Sequence, residues 1–253
     1  MRVEHVYRYP VKGLTAEALD EVALRPDELL PWDRAFALAQ GDAPFDPAEP
    51  RFLHKRHFLC LQENARAALL KAAFDPKTGL LALRAPGSEA LAENAFAPEG
   101  QERIAAFLTR FMGAEARGTP RFHHVPGHHF ADDSEPYVSL VSEATLRDLE
   151  QRVGAKRDRL RFRANLYISG APPWAEFDWI GQDLQVGGAR LRIVQRITRC
   201  TATNVNPDTA TRDAKLLLEL REHYGHADFG VYGRVVEGGS VAPGSAVELL
   251  GVS

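Results

Sequence analysis

Cysteine is scarce in this sequence: Cys60 and Cys200 are the only two among 253 residues. No C-x-x-C pair occurs, so the chain lacks the thiolate sets that hold structural zinc or iron–sulfur clusters. Two isolated cysteines fit a reducing compartment better than a disulfide framework. No apolar run approaches the ~20 residues of a membrane helix, and the opening MRVEHVYRYPVKG lacks the apolar region of a secretion signal. We therefore expect a cytoplasmic protein that does not bind a membrane.

A surplus of either charge is also absent, since 31 Lys and Arg stand against 34 Asp and Glu, for a net charge of −3. The strongly basic field that attracts nucleic acid is missing, and we expect no nucleic-acid partner. The sequence contains no G-x-G-x-x-G fingerprint, no Walker P-loop and no G-x-S-x-G elbow. These absences argue against nicotinamide-dependent, nucleoside-triphosphate-dependent and lipase-like functions.

The composition and the pattern of short runs indicate the fold class. Hydrophobic residues make up 45% and charged residues 26% of the chain, which is typical of a folded globular protein. Short β-rich runs bounded by turn residues outnumber helical patterns, and the two do not alternate. We predict an α+β, β-rich fold in which two β-barrel-like domains pack together with a few helices. The predicted domains are residues 1–115 and 116–253.

Apolar periodicity and turn residues place the individual elements. Helices are predicted at residues 101–112, 142–153 and 214–222. Strands are predicted at residues 3–9, 22–24, 35–39, 59–61, 80–83, 165–168, 184–186, 191–194, 229–236 and 246–250. Residues 64–73 favour a helix by propensity, although strand-rich neighbours can override it. Residues 119–135 are expected to form a polar loop.

Cys200, in the segment ITRCTATNVNPDT, is the first candidate for chemistry. Arg199 is adjacent to it and Arg196 is near, and neighbouring cations favour the thiolate, which attacks electrophiles or binds metals. The alternative is a buried free cysteine that acts as a small hydrophobic residue. Cys60 is flanked by apolar residues in FLCLQ and is predicted to belong to the core.

A row of arginines follows in RLRFRAN, where Arg159, Arg161 and Arg163 occupy alternate positions. In a strand, all three and Asn165 would point to the same face. Guanidinium groups on one face suit a phosphate or another polyoxyanion, which they bind with paired hydrogen bonds. The alternative is a solvated surface.

Four histidines fall within residues 123–129, in the segment HHVPGHH. Their spacing raises the question of a zinc site. Pro126 and Gly127 lie between the two pairs and prevent the regular helix that would hold two imidazoles on one face. We expect a polar loop rather than a metal site.

Several motifs occur together in a specific order: YPVKGL, WDRAFAL, DDSEPYVSLVSEATLRDL, RFRANLYISGAPPWAE, RCTATNVNPDT, DFGVYG and GSVAPGSAVELLG. This series resembles the MOSC proteins that carry an N-terminal MOSC β-barrel domain. The resemblance is strongest to the branch of bacterial N-hydroxylated-base reductases and mitochondrial amidoxime reducing components. It extends over nearly the whole chain and implies a MOSC β-barrel packed against a smaller N-terminal β-barrel-like domain.

The resemblance also implies a cofactor and a set of site residues. In that family one cysteine thiolate ligates molybdenum alongside the dithiolene of a pyranopterin, and Cys200 matches that cysteine. The implied cofactor is the molybdenum–pyranopterin cofactor (Moco), with Cys200 as metal ligand and catalytic residue and Asp133 as a catalytic acid near the metal. Besides Cys200, the matching cofactor-binding positions are Lys12, Arg34, Ser134, Arg163, Asn165, Thr198, Arg199 and Tyr232.

The chain departs from the family pattern within these motifs. Gly13 stands where the family has a serine after the loop lysine, and Glu135 replaces a small hydroxyl residue close to where a phosphate would lie. Ala164 replaces the proline of RFRPN, and Ile197 replaces a cysteine before the usual S-R-C. These changes suggest a divergent branch with its own substrate.

Three functional hypotheses follow. The first is a molybdenum-dependent oxidoreductase that reduces small N-hydroxylated compounds, such as amidoximes, hydroxylamines and N-hydroxylated bases. Because the chain has neither ferredoxin-type cysteines nor a flavin fingerprint, the electrons would come from an external flavin or iron–sulfur protein. The second is a cofactor or sulfur carrier that uses Cys200 as a persulfide-bearing or delivery thiol. The third is a non-enzymatic β-barrel module that binds an anion on the face of Arg159, Arg161 and Arg163.

Overall fold

The computed structural model describes residues 1–250, and strands dominate it. Its mixed, strand-rich architecture confirms the predicted α+β, β-rich class. The strands are β1 (Arg2–Arg8), β2 (Glu17–Ala18), β3 (Val22–Leu24), β4 (Phe36–Ala39), β5 (Lys71–Asp75), β6 (Leu80–Arg84), β7 (Leu91–Asn94), β8 (Arg121–His124), β9 (Val138–Ser142), β10 (Leu166–Ser169), β11 (Asp183–Val186), β12 (Ala189–Thr198), β13 (Asp228–Glu237), β14 (Gly239–Val241) and β15 (Val247–Leu249). The helices are α1 (Pro98–Met112), α2 (Glu143–Val153) and α3 (Leu216–Tyr224).

Eight strands form one curled sheet in the order β15–β11–β12–β13–β9–β10–β1–β2. Neighbouring strands are antiparallel except β9 and β10, which run parallel. The start of β1 approaches the β15 end of the sheet, because the Val3 amide donates to the Ser245 carbonyl and the Val247 amide to the Met1 carbonyl, both at 2.9 Å. The curled sheet holds a core of valine, leucine and isoleucine side chains.

A smaller β region lies within the N-terminal half of the chain. β5, β6 and β7 form an antiparallel meander, β4 pairs with β8, and α1 packs against β7 and β8. In β5 and β6 every second side chain is buried, as expected for strands with one face on a core. Phe36, Leu81 and Leu108 belong to that core.

The helix ends follow local chemistry, and all three predicted helices are present. Pro98 opens α1, where its missing amide hydrogen is not needed. The Ser142 hydroxyl accepts a hydrogen bond from the Ala144 amide at 3.2 Å at the start of α2. Gly154 ends α2 in a left-handed conformation. Within residues 1–250, no helix combines the length and the apolar character needed to cross a membrane.

Two local predictions are wrong, and a third segment takes the alternative that the sequence left open. Residues 59–61 form no strand, because the carbonyl of Cys60 closes a turn instead. Residues 64–73 form no α-helix: a 3₁₀ turn (Ala65–Leu69) leads into β5, whose pairing with β6 overrides helical propensity. The predicted polar loop at residues 119–135 contains β8, so two of its histidines lie in a strand.

The predicted domain boundary after residue 115 does not separate the sheets. β1 and β2 come from the N-terminal half, yet they belong to the eight-stranded sheet whose other strands come from the C-terminal half. β3 likewise pairs with β14. The division into residues 1–115 and 116–253 stays a prediction, and the two halves are joined by backbone hydrogen bonds.

Candidate functional site

A cavity of about 420 Å³ opens where the two halves of the chain meet. It brings together residues that are up to about two hundred positions apart in the sequence. Of the ten predicted site residues, nine line it: Lys12, Arg34, Asp133, Arg163, Asn165, Thr198, Arg199, Cys200 and Tyr232. Ser134 is the exception, since it is exposed and outside the cavity lining.

Cys200 lies in the cavity lining two residues after the end of β12. Its carbonyl accepts hydrogen bonds from the amide of Thr203 at 3.1 Å and from the Thr203 hydroxyl at 2.9 Å, which fixes the 3₁₀ turn that follows (Thr201–Asn204). The thiol is free and partly exposed, so the alternative of a buried cysteine is wrong for this residue. Cys60 is buried as predicted, yet it also lines the cavity. Burial raises the pKa of the Cys60 thiol.

Two guanidinium groups lie against the buried ring of Tyr9. The central guanidinium carbons of Arg34 and Arg163 are each 4.4 Å from the ring centre, a distance at which cation–π attraction operates. Arg34 Nη2 also donates to the carbonyl of Arg163 at 2.8 Å. The φ angles of the two arginines are 51° and 50°, a strained conformation that surrounding contacts must stabilise. We call this group of three residues the Tyr9 clamp.

Arg163 and Arg199 carry positive charge that no carboxylate of the described chain neutralises through an ion pair. Arg163 Nη1 donates to the Leu14 carbonyl at 2.6 Å, and Arg199 Nη1 donates to the Phe162 carbonyl at 2.7 Å. Burial, together with the nearby charge of Arg34, lowers the pKa of Arg163 to about 10, and burial lowers the pKa of Arg199. Cations that are paired only with neutral carbonyls in a cavity favour an anionic ligand.

Lys12 and Asp132 form an ion pair at the cavity, with Lys55 beside it. Lys12 Nζ donates to Asp132 Oδ1 at 2.5 Å and to the Phe130 carbonyl at 2.8 Å. Burial acts to raise the pKa of Asp132, but the charges of Lys12 and Lys55 outweigh it, and the pKa lies well below its usual value. Burial acts to lower the pKa of Lys55, but the charge of Asp132, 3.9 Å away, leaves it raised.

Asp133, the predicted catalytic acid, lines the cavity with both carboxylate oxygens occupied. Oδ1 accepts from the Glu135 amide at 3.0 Å, and Oδ2 accepts from Gln195 Nε2 at 3.2 Å. Glu135 itself forms an ion pair with Arg234, whose Nη2 lies 2.5 Å from Glu135 Oε2. The acidic replacement at position 135 is therefore balanced by a neighbouring cation.

The remaining predicted residues, Asn165, Thr198 and Tyr232, differ in whether their polar atoms already have hydrogen-bond partners. Asn165 is buried, and its side chain is bonded to Ser139 and to the Tyr7 carbonyl, so it fixes the backbone around the cavity. The Thr198 hydroxyl donates to Asp228 Oδ1 at 2.6 Å. Burial raises the pKa of Tyr232, so its hydroxyl stays protonated at neutral pH.

The predicted arginine row on a strand is wrong. Residues Arg159–Phe162 form a 3₁₀ turn, because Asp158 caps it by accepting from the Leu160 amide at 2.7 Å. The arginine side chains therefore diverge: Arg159 pairs with Glu143, and Arg161 pairs with Asp213. Only Arg161 and Arg163 line the cavity. The common face required by the anion-binding-module hypothesis does not form.

The histidines at residues 123–129 pack among aromatic rings rather than in the cavity. His123 lies 5.1 Å from Phe45 and His124 lies 5.1 Å from Phe36, measured between ring centres. In residues 1–250, no group of three or more histidine, cysteine or acidic side chains is placed to hold a metal ion.

Sequence reasoning missed Tyr9, Lys55 and Asp132. Asp132 is adjacent to the predicted Asp133 in the DDSE motif. Only the ion pair with Lys12 in the folded chain distinguishes Asp132 from Asp133. Lys55 lies in HKRH, a segment of ordinary surface composition. Tyr9 is part of the quoted YPVKGL motif, but its role depends on two arginines far along the chain.

Comparison with known families agrees with this arrangement. Residues 1–119 match the MOSC N-terminal beta barrel domain, and residues 126–248 match the MOSC domain. The chain is a MOSC-domain protein. Its two matched regions supply the two sides of the cavity, with Lys12 and Arg34 in the first and Arg163 and Cys200 in the second.

Several curated proteins are similar to this MOSC-domain protein. "Mitochondrial amidoxime-reducing component 1" of Mus musculus is 34% identical over 131 residues, which is 47% of this chain and 38% of that protein. "Molybdenum cofactor sulfurase" of Danio rerio is 26% identical over 267 residues, 90% of this chain and 31% of that protein. The chain thus spans well under half the length of these relatives. The solved YuaD protein from Bacillus subtilis has a TM-score of 0.47 at 14% identity and covers 98% of this chain and 94% of that chain.

Proposed function

We propose that this MOSC-domain protein is a Moco-dependent oxidoreductase that reduces small N-hydroxylated compounds. The observation that carries the proposal is the convergence of cations from both halves of the chain on one cavity around Cys200. The similarity to an amidoxime-reducing component supports the reaction class. Amidoximes, hydroxylamines and N-hydroxylated bases are the proposed substrates.

The side chains present fit a cofactor of this kind. A pyranopterin carries a phosphate and polar ring atoms, which require cations and hydrogen-bond donors. Arg163 and Arg199 have no carboxylate partner, and Nε of the buried Arg161 has no hydrogen-bond partner among the described residues. Arg34, Arg163, Arg199 and Cys200 would hold the cofactor. Lys12 already donates to two carbonyls and Asp132, so it would contribute charge rather than a free donor.

The chain's own residues have defined tasks in this proposal. When bound, the cofactor supplies two-electron redox chemistry at a metal ligated by the Cys200 thiolate. Reduction of an amidoxime to an amidine consumes two electrons and two protons and releases one water molecule. The Tyr232 hydroxyl, which burial keeps protonated, is a proton-bearing group of the cavity wall. The electrons would come from a separate flavin or iron–sulfur protein.

The test is metal and pterin analysis of protein made in a host that synthesises Moco. We expect molybdenum and pterin in the wild-type chain and turnover of benzamidoxime with an artificial electron donor. Cys200→Ser should lose molybdenum and turnover while the thermal unfolding midpoint changes little, because one sulfur-to-oxygen exchange hardly alters volume. Arg221→Ala, at an exposed position on α3 outside the cavity lining, is the control and should keep both. Wild-type protein without molybdenum or pterin would refute the proposal.

A carrier of cofactor or sulfur is the second candidate. The similarity to "Molybdenum cofactor sulfurase" of Danio rerio over 90% of this chain favours it, as does the partly exposed free thiol of Cys200. Mass spectrometry of the intact protein separates the two candidates. A persulfide on Cys200 without benzamidoxime turnover would support the carrier, and turnover without a persulfide supports the reductase.

A further inference from the structure

Lys55 lines the cavity, but the proposed function assigns it no role. It begins a 3₁₀ turn (Lys55–His57), which Nδ1 of His54 caps by accepting from the Arg56 amide at 3.3 Å. The turn directs Lys55 into the cavity, where 20% of its side chain is exposed, and leaves Arg56 facing solvent. Of the two adjacent cations, only Lys55 thus lines the cavity.

The positive charge of Lys55 is only partly neutralised. Asp132 lies between two ammonium groups, at 2.5 Å from Lys12 Nζ and 3.9 Å from Lys55 Nζ. Lys12 holds the short contact, so one carboxylate serves two cations and leaves a net charge of about +1 on the trio. Lys55 and Cys200 line the same cavity.

The other acids of the cavity are already engaged. Asp33 forms an ion pair with Arg34, and Glu135 forms one with Arg234. Asp133 accepts from Gln195 and from a backbone amide. None of these carboxylates pairs with Lys55 among the described residues, so the uncompensated charge beside Cys200 is free to meet an anion.

We propose that Lys55 forms a subsite for an anionic group of the substrate, next to Cys200. The substrate class that fits is an N-hydroxylated compound that also carries a carboxylate or a similar anionic group. This inference rests on the proposed function. The cations assigned to the cofactor are the arginines of the Tyr9 clamp and Arg199, whereas Lys55 lines the same cavity as Cys200 and has no such assignment.

The first test needs no cofactor and uses the full chain made without it. Cys200 is alkylated with iodoacetate, an anion, and with the neutral iodoacetamide, and peptide mass spectrometry separates Cys200 from Cys60. The ratio of the two rates reports the local charge, because both reagents attack the same thiolate and its abundance cancels. Lys55→Gln should lower the iodoacetate-to-iodoacetamide ratio about fivefold, as expected for one charge at contact distance in a wet cavity.

Matched variants make that result specific. Lys55→Arg keeps the charge and should keep the ratio. Arg56→Gln removes the neighbouring exposed cation from the same turn and should leave the ratio unchanged. Raising the salt concentration should reduce the wild-type ratio more than that of Lys55→Gln, in which only the other cations of the cavity remain. Equal ratios in wild type and Lys55→Gln would overturn the subsite whatever the cofactor content.

The second test identifies the anion as part of the substrate. On cofactor-loaded protein, kcat/KM is compared for benzamidoxime and 4-carboxybenzamidoxime. Lys55→Gln should lower the preference for the carboxylated substrate about tenfold, as for loss of a charge-assisted hydrogen bond, with molybdenum content unchanged. A fall in molybdenum content with an unchanged substrate preference would overturn the assignment and give Lys55 to the cofactor. If no substrate is turned over, the proposed function is wrong. The alkylation ratio still tests whether Lys55 forms an anion subsite.

Discussion

Gly13 follows Lys12 in the loop that enters the cavity, and its φ angle of 84° is left-handed. A Cβ atom at this position would lie 2.6 Å from the carbonyl oxygen of Leu59, closer than real side chains approach. The family that this chain resembles has a serine at this position. The path of this loop against Leu59 explains why the present chain has glycine instead and gives up one hydroxyl donor.

The contact with Leu59 can be isolated by comparing two glycines. Gly87 has a similar φ of 71° but has no atom within 4 Å of the added Cβ. Gly87→Ala should therefore show the cost of the left-handed conformation alone, about 1 kcal/mol. Gly13→Ala should lose at least about 1 kcal/mol more, because backbone atoms must shift. Urea denaturation measures both, and equal losses would contradict the role given to Leu59.

At the scale of elements, the 3₁₀ turn Arg159–Phe162 determines which arginines reach the cavity. Asp158 caps the turn, and Arg163 ends it in a left-handed conformation. Arg161 is then held by Asp213 at 2.5 Å and by the Asn204 carbonyl at 3.1 Å, which ties this turn to the one after Cys200. The cap thus orients Arg161 and Arg163, which both line the cavity.

Loss of this cap should be measurable in stability and in cofactor retention. Asp158→Ala removes the acceptor for the Leu160 amide and should lower the free energy of unfolding by about 1 kcal/mol. It should also lower the molybdenum content, because Arg163 loses its fixed position. Asp20→Ala removes an exposed carboxylate between β2 and β3 and serves as control. An Asp158→Ala protein with wild-type stability and molybdenum content would show that the turn needs no cap.

The same turn shows where sequence reasoning stops. The helix α2 was predictable because Ser142 and Gly154 at its ends act locally, and α1 because of its apolar spacing and Gly113, although it begins at Pro98, three residues before the predicted start. The alternating arginines of RLRFRAN predicted a strand, but Asp158 caps a 3₁₀ turn there, and Asp213, which holds the Arg161 side chain, lies about fifty residues away. Lys55 and Asp132 escaped prediction for the same reason, since only the folded chain places them beside Lys12 and Cys200.

β8 places consecutive histidines on opposite faces of a two-stranded sheet. His123 packs with Phe45, and His124 packs with Phe36 and Phe96. Burial lowers the pKa of both histidines from the ordinary 6.5. Nε2 of His123 has no hydrogen-bond partner within the described residues. Protonation of these rings would place charge among aromatic side chains.

The stability of the protein should therefore fall on acidification. With folded pKa values below the unfolded value of about 6.5, the unfolded chain binds protons first as the pH decreases. The free energy of unfolding should be highest above pH 6.5 and should decrease below it. His123→Gln removes one such group and should flatten this decrease between about pH 6.5 and pH 5. Urea denaturation across this range measures the slope, and an unchanged slope in the variant would contradict the assignment.

At the scale of the whole molecule, the two halves are held together around the cavity by side chains that donate to backbone carbonyls. Arg34 donates to the Arg163 carbonyl and Arg163 to the Leu14 carbonyl, so each half holds the other. Arg212 adds a third connection, with Nη2 at 2.7 Å from the Gln62 carbonyl and Nη1 at 3.2 Å from the Thr201 carbonyl. The residue that follows Cys200 is thereby tied to the N-terminal half.

Arg212 offers a way to loosen the cavity without touching its lining. Arg212→Ala should lower the free energy of unfolding by about 1–3 kcal/mol, because carbonyls at the junction lose a charged donor. Since Cys200 and the cations of the N-terminal half would no longer be held in register, molybdenum content should fall more steeply than stability. Arg221→Ala, an exposed arginine on α3, is the control for loss of charge. If Arg212→Ala had the same molybdenum content as Arg221→Ala, cofactor binding would depend on the residues that line the cavity and not on the Arg212 contacts between the two halves.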